Sequence, residues 1–164
     1  ADEFRPITNR TVCYIVCGLV FNDESEVLMM QEAKSSCYGM WYLPAGRMER
    51  NESIEEAVVR EVLEETGIEI QPTSLVSVEV ASGFWYRFTL IGRMTGGKLK
   101  TYEHRDKESL QAKWCSAETH SLFFRASDIL PLIDLGLKYH NAPKHHPSIL
   151  PAHSPQKKLL IRIV

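Results

Sequence analysis

No stretch of this chain approaches the roughly 18 consecutive apolar residues that a membrane-spanning helix requires, so a helical span is excluded. Neither sign of charge dominates: 19 Lys and Arg stand against 21 Asp and Glu, a formal charge of −2. The broad basic footprint of a protein that grips DNA or RNA is therefore missing. Cysteine is scarce. Cys13, Cys17, Cys37 and Cys115 are too few for a disulfide scaffold in a chain of 164 residues, and no Cys-x-x-Cys pair suggests structural zinc. Buried free thiols in a reducing, cytoplasmic compartment are the expectation. The opening Ala1-Asp2-Glu3-Phe4-Arg5-Pro6 is acidic and polar, unlike a secretory signal. There is no internal repeat.

What is present is ordinary globular composition, 44% hydrophobic and 24% charged, enough for one core. The expected organisation is a flexible start over residues 1–8, one domain over 9–140, and an extended Pro/His-rich tail over 141–164. That tail ends in an apolar stretch from Lys158 to Val164 that reads as a terminal strand. Its histidines read as solvated.

Thr11 to Phe21 is rich in Val, Ile, Tyr and Cys and reads as a buried strand. A turn at Asn22–Ser25 leads to a second strand, Glu26 to Ala33, and the two resemble a hairpin. Met40 to Leu43 is a short apolar piece ended by Pro44-Ala45-Gly46. Ser53 and Glu56 form a capping box at the start of a helix that runs to Thr66, with Gly67 at the left-handed cap position. Leu75–Val80, Phe84–Ile91 and Leu110–Cys115 are further strands. Thr95-Gly96-Gly97 reads as a turn and residues 100–108 as a loop. Ser127-Asp128 opens a second helix to about Tyr139, with Pro131 in its first turn.

The chemistry is concentrated between Gly46 and Gly67. Glu49, Glu52, Glu55, Glu56, Glu61, Glu64 and Glu65 are opposed only by Arg47, Arg50 and Arg60. Glu61, Glu64 and Glu65 repel one another at helical spacing. At about 100° per residue, Glu61 and Glu65 fall in the same sector as Ile54, Val58 and Val62, and Glu64 lies beside it. Carboxylates on an inward face need a positive partner. Salt bridges to Arg60 and exposure at the helix end are the plain solution. A hard divalent cation, which prefers oxygen ligands, is the sharper one.

The pattern has a name. Gly46, five residues, Glu52, seven residues, then Arg60-Glu61-Val62-Leu63-Glu64-Glu65-Thr66-Gly67-Ile68 resembles the Nudix box of the Nudix hydrolases at every defining position. The resemblance implies an α/β fold, an α/β/α sandwich around a mixed sheet, with the box as loop, helix and loop. It implies a hydrolase of nucleoside diphosphates linked to another group, dependent on Mg²⁺ or Mn²⁺. Carried over, Glu61, Glu64 and Glu65 would hold metal with the Gly46 carbonyl, and Glu52 would support the loop and approach a metal. Arg60 would orient a carboxylate. The family usually adds an acid from outside the box, for which the candidates are Glu103, Asp106 and, preferred, Glu108. The catalytic set is then Glu61, Glu64, Glu108 and Arg60.

Gln31-Glu32-Ala33-Lys34, Trp41 to Glu49, Thr95-Gly96-Gly97, Glu108 to Ala112 and His146 to Pro151 are similar to the animal Nudix enzymes that hydrolyse 8-oxo-guanine nucleoside diphosphates. That implies conversion of 8-oxo-dGDP or 8-oxo-GDP to the monophosphate plus phosphate, and a chain shorter at its C-terminus than others of the group. ADP-ribose, dinucleotide polyphosphates and oxidised triphosphates are the alternative substrates, and an inert nucleotide-binding domain the alternative function. The partner expected is a small nucleotide, not a nucleic-acid polymer or a membrane. Trp85, Phe84, Trp41 and Tyr14 are the aromatic candidates for the base, and Arg47, Lys34 and Lys98 for phosphate.

Overall fold

The computed structural model describes residues 11–81, 84–116 and 122–141. The expected flexible start, most of the Pro/His-rich tail and the Ser82-Gly83 link between two expected strands lie outside them. No helix among the described residues is long and apolar enough to cross a membrane.

Among the described residues, seven strands and two helices occur in the order β1 (Cys13–Val20), β2 (Val27–Glu32), β3 (Trp41–Tyr42), β4 (Ala45–Arg47), α1 (Ile54–Thr66), β5 (Ile68–Ala81), β6 (Trp85–Gly97), β7 (Ser109–Cys115) and α2 (Ile129–Asn141). They form a four-stranded sheet, β4-β1-β6-β5, and a three-stranded sheet, β3-β2-β7. The first is mixed, because β1 runs parallel to β6 and antiparallel to β4. The expected α/β layering is therefore present.

β1 is buried on both faces, and its alternation feeds two cores. Cys17 and Leu19 join Ile129, Leu132 and Ile133 of α2, while Val16 and Val20 join Ala57, Val58 and Val62 of α1. Each fully buried Val or Leu contributes on the order of 1.5–3 kcal/mol. Gly18 marks the crossing of β1 and α1, since a Cβ there would overlap the Val62 side chain. All four cysteines are free.

Three local readings are corrected. β1 and β2 are not a hairpin: β4 and β6 occupy both edges of β1, so the turn after Phe21 hands the chain to the other sheet. One isolated bridge, Phe21 to Val27, marks the passage. β5 begins at Ile68, directly after the Gly67 cap at φ 76°, rather than at Leu75. Pro72 is accommodated because β5 is an edge strand whose pairing shifts register between Pro72 and Ser74. Gly96 and Gly97 do not turn the chain. They continue β6, opposite Glu69 and Ile68.

Candidate active site

α1 starts with both hydrogen bonds of its capping box, Ser53 with Glu56, and ends at Gly67. Its buried residues include Glu61 and Glu65 along with Ala57, Val58 and Val62, as the wheel places them. Glu64 is exposed. The last turn holds acids and no base. That is the wrong sign for a helix C-terminus, where carbonyl dipoles already concentrate negative charge. Burial pushes the Glu61 carboxyl above its usual value, against the pull of Arg60. It raises Glu65 well above, with the Ala45 amide pulling the other way.

The short strand β4 meets this helix residue by residue. The Ala45 amide donates to Glu65 Oε2 at 2.8 Å. Gly46 lies against Glu61, and a Cβ at 46 would overlap the carboxyl group. The Arg47 carbonyl accepts from Arg60 Nη2 at 3.0 Å. The sequence placed Gly46 and Arg47 in the site but did not show that residues 45–47 form a strand.

Arg60 spends its guanidinium inside the box. Nε and Nη2 hold Glu52 at 2.6 and 3.0 Å, and Nη1 holds Glu61 at 2.8 Å and Glu64 at 3.1 Å. With the Arg47 carbonyl, these bonds match its five donors. Hydrogen bonding to Arg60 also draws the Glu52 carboxyl below its usual value, and Glu52 Oε2 accepts from the Glu49 amide at 2.8 Å. Glu52 thus fastens the loop before the helix. Part of the positive charge that the acidic turn requires is supplied by Arg60. Among the described residues, no three acidic, His or Cys side chains are gathered into a ready-made metal cage. The donor set is nonetheless all oxygen, Arg60 is shared among Glu52, Glu61 and Glu64, Glu65 has no ion pair among the described residues, and Gly46 carries no side chain against Glu61, which suits a hard divalent ion.

A cleft of about 1060 Å³ opens beside these residues. Gly46, Arg47, Arg60, Glu61, Glu64, Glu65, Asp106, Glu108 and Trp85 line it, as do Ile15, Lys34, Tyr42, Arg87 and Arg125. Glu108 is close enough to Glu61 to help raise its pKa. Asp106 is committed elsewhere: one oxygen accepts from Lys100 and the other from the Glu108 and Ser109 amides. Glu103 is exposed and does not line the cleft. Of the aromatic candidates, Trp85 lines it and Tyr14, Phe84 and Trp41 do not. Tyr14 packs near Tyr86 and Phe88 at ring-centroid distances of 5.9 and 6.1 Å. Phe84 is exposed, and Trp41 is buried under the Lys113 ammonium.

Two ion-pair assemblies that reach the cleft lining were scarcely legible in the sequence. Arg87, 3% exposed, holds Glu79 with two bonds and reaches Tyr42 Oη and Asp128, each at 2.7 Å. Its guanidinium lies 5.5 Å from the Trp85 ring centroid. Glu32, 1% exposed, takes Arg125 Nη1 at 2.7 Å through Oε1, while Oε2 has Lys34 no nearer than 3.8 Å. A charged residue near the middle of an apolar strand pattern, such as Arg87, was the only available signal.

The sequence matches the NUDIX domain over residues 13–135. It is 54% identical over 144 residues to the 8-oxo-dGDP phosphatase NUDT18 of Danio rerio, covering 87% of this chain and 44% of that protein. It is 45% identical over 155 residues to the human protein of the same name, covering 94% and 48%. The chain thus spans about half the length of these curated relatives. In fold it is similar to a Nudix hydrolase from Nitrosomonas europaea, with TM-score 0.66, 24% identity and coverage of 82% and 76%. An ADP-ribose pyrophosphatase from Streptococcus suis superposes with TM-score 0.62 at 20% identity, covering 80% and 94%. From the box through the sheets that carry it, and over most of its length, the chain belongs to the Nudix family.

Proposed function

We propose that the domain is a Mg²⁺-dependent hydrolase, with Mn²⁺ as an alternative ion, that converts oxidised purine nucleoside diphosphates to the monophosphate and phosphate. Its preferred substrates are 8-oxo-dGDP and 8-oxo-GDP, and its role is to keep oxidised guanine out of nucleotide pools. The observation that carries the reaction class is the buried pair Glu61 and Glu65, headed by β4 and open to a cleft that also holds Arg47, Glu108 and Trp85. The names of the vertebrate relatives support the substrate.

In this reading Glu61, Glu64 and Glu65 hold the ion together with the Gly46 carbonyl, and Glu52 supports them through Arg60 and the loop. When bound, the ion offsets phosphate charge and lowers the pKa of water at the site. Arg60 holds the Glu61 and Glu64 carboxylates in register. Glu108 accepts the proton of the attacking water. The new bond joins water oxygen to phosphorus, and the phosphoric anhydride bond breaks. Arg47 faces the phosphates along the cleft wall, and Trp85 offers a ring to the purine.

The test is a time course on 8-oxo-dGDP, 8-oxo-dGTP, dGDP, ADP-ribose and a diadenosine polyphosphate, with and without Mg²⁺, products identified by mass spectrometry. Mg²⁺-dependent conversion of 8-oxo-dGDP well ahead of dGDP and the triphosphate is expected. Preference for ADP-ribose or a dinucleotide would overturn the substrate, and metal-independent turnover would overturn the site.

A further inference from the structure

Lys100 stands outside the box and outside the cleft lining, yet its placement is unusual. Its side chain is only 10% exposed. Its ammonium has three donors and three acceptors: the Glu64 backbone carbonyl at 2.8 Å, Asp106 Oδ2 at 2.6 Å and Ser109 Oγ at 2.7 Å. Its backbone is held on both sides as well, its amide by the Thr66 carbonyl and its carbonyl by the Ala112 amide.

These bonds join two parts of the site that are distant in sequence. The Glu64 carbonyl belongs to the last turn of α1, where the acids stand. Asp106 and Ser109 belong to the segment that carries Glu108. Asp106 Oδ1 accepts from the Glu108 amide at 2.9 Å and the Ser109 amide at 3.0 Å. The path from the helix carbonyl to the Glu108 backbone therefore runs through one ammonium and one carboxylate. Burial alone would raise the Asp106 carboxyl, but the Lys100 hydrogen bond and the two amides outweigh it and hold it below its usual value. A separate attachment, to β2, combines the longer bond from the Ala33 amide to the Glu108 carbonyl at 3.3 Å with the pairing of Ser109 and Glu32. It sets where the loop lies against β2, whereas Lys100 sets where it lies against α1.

We propose that Lys100 is a positioning residue: through Asp106 it fixes the Glu108 segment against the acidic end of α1, and so sets the distance at which Glu108 works. The proposal rests on the hydrolase reading above for its catalytic consequence, but not for its structural one. An aliphatic side chain of similar length at position 100 fills the same space and severs all three bonds. It leaves the Glu64 carbonyl, the hydroxyl of buried Ser109 and the Asp106 charge without that partner, and the loop relaxes toward solvent.

The experiment uses Lys100→Met and Lys100→Arg, each alone, and Lys100→Met combined with Glu108→Gln. Amide hydrogen exchange by NMR is read first, because it needs no turnover. In Lys100→Met the Glu108 and Ser109 amides are expected to exchange about tenfold faster or more, with the α1 interior amides unchanged. Kinetics on the best substrate of the nucleotide panel follow. Lys100→Met is expected to lower kcat by about ten- to a hundredfold with KM within about threefold, the scale of a misplacement near 1 Å. Lys100→Arg, which keeps the charge and donors, recovers part of that loss. The double variant is no slower than Glu108→Gln alone.

Unchanged exchange at 108 and 109 in a folded Lys100→Met protein would overturn the positioning role whatever the activity. Losses that multiply in the double variant would overturn the route through Glu108. Wild-type protein inert on every nucleotide would instead refute the hydrolase reading, and the exchange result would still decide the tether.

Discussion

Gly46 and Glu61 are fitted to each other: the bare Cα of the glycine is what lets the glutamate carboxyl group lie across β4. A Gly46→Ala variant displaces only the far end of a flexible side chain, so its Tm should change little. Its kcat should fall by about ten- to a hundredfold, because the group displaced is a proposed metal ligand. A thermal melt run beside steady-state rates separates the two effects. Normal turnover would remove Glu61 from the site.

Glu64 is exposed, and among the described residues its carboxylate is held by Arg60 alone. Glu64→Gln should therefore keep the fold, as seen by circular dichroism, and cut turnover by orders of magnitude. Arg60→Lys is the contrasting case. Three donors replace five, and Glu52 loses its paired contact. A loss of about 1–3 kcal/mol in urea unfolding is expected, toward the low end because the guanidinium is partly solvated.

Metal and pH should act together on stability. Burial raises the Glu61 and Glu65 carboxyls above the usual value near 4.5. A carboxyl raised in the folded state adds stability below its unfolded pKa and loses it as pH climbs through the folded value. The metal-free protein should lose this contribution as pH rises above about 4.5. Mg²⁺ favours the ionised forms, so its stabilisation should grow over the same interval. At a hundred times its Kd it reaches about 2.7 kcal/mol. Melts at pH 5.0 and 7.5, with Mg²⁺ and with EDTA, test this, and a Tm shift independent of pH would contradict it.

Trp85 and Tyr14 make a paired test of the base site. Stacking of a base on an aromatic ring is worth about 1–3 kcal/mol, so Trp85→Ala should raise KM for purine nucleotides roughly tenfold. Tyr14→Leu should leave KM unchanged, since that ring packs near Tyr86 and Phe88 off the cleft. Equal effects would mean that the cleft is not where the base binds.

The helix and its chemistry were legible because their signals are local. Ser53 and Glu56 sit three residues apart, Gly67 closes the same helix, and the period of α1 puts Glu61 and Glu65 on the buried face. The sheet was less legible because its pairings are not local. Nothing near Phe21 reveals that β4 and β6 already occupy β1, and nothing near Pro72 reveals that β5 is at an edge where a proline is tolerated. The site divides in the same way. Glu61, Glu64 and Arg60 come from one motif, whereas Glu32 meets Arg125 and Tyr42 meets Arg87 only after the chain has closed. Lys100 carried no signal of its own in the sequence because its three acceptors are split between α1 and the 106–109 segment.

The parallel pairing of β1 with β6 also constrains how the molecule is made. Cys13 registers with Trp85 and Val20 with Gly92, so the first strand waits for its neighbour while roughly 70 residues are added. Closing a loop of that length costs about 4 kcal/mol in chain entropy before any contact repays it. On a ribosome, α1 with its own caps can form early, while Val16 and Val20 beneath it still lack the β6 flank. The rate of refolding should therefore respond more to substitutions in Phe88 and Leu90 than to those in the capping box. The catalytic helix, the easiest element to recognise, would be among the first to form and the last to acquire its floor.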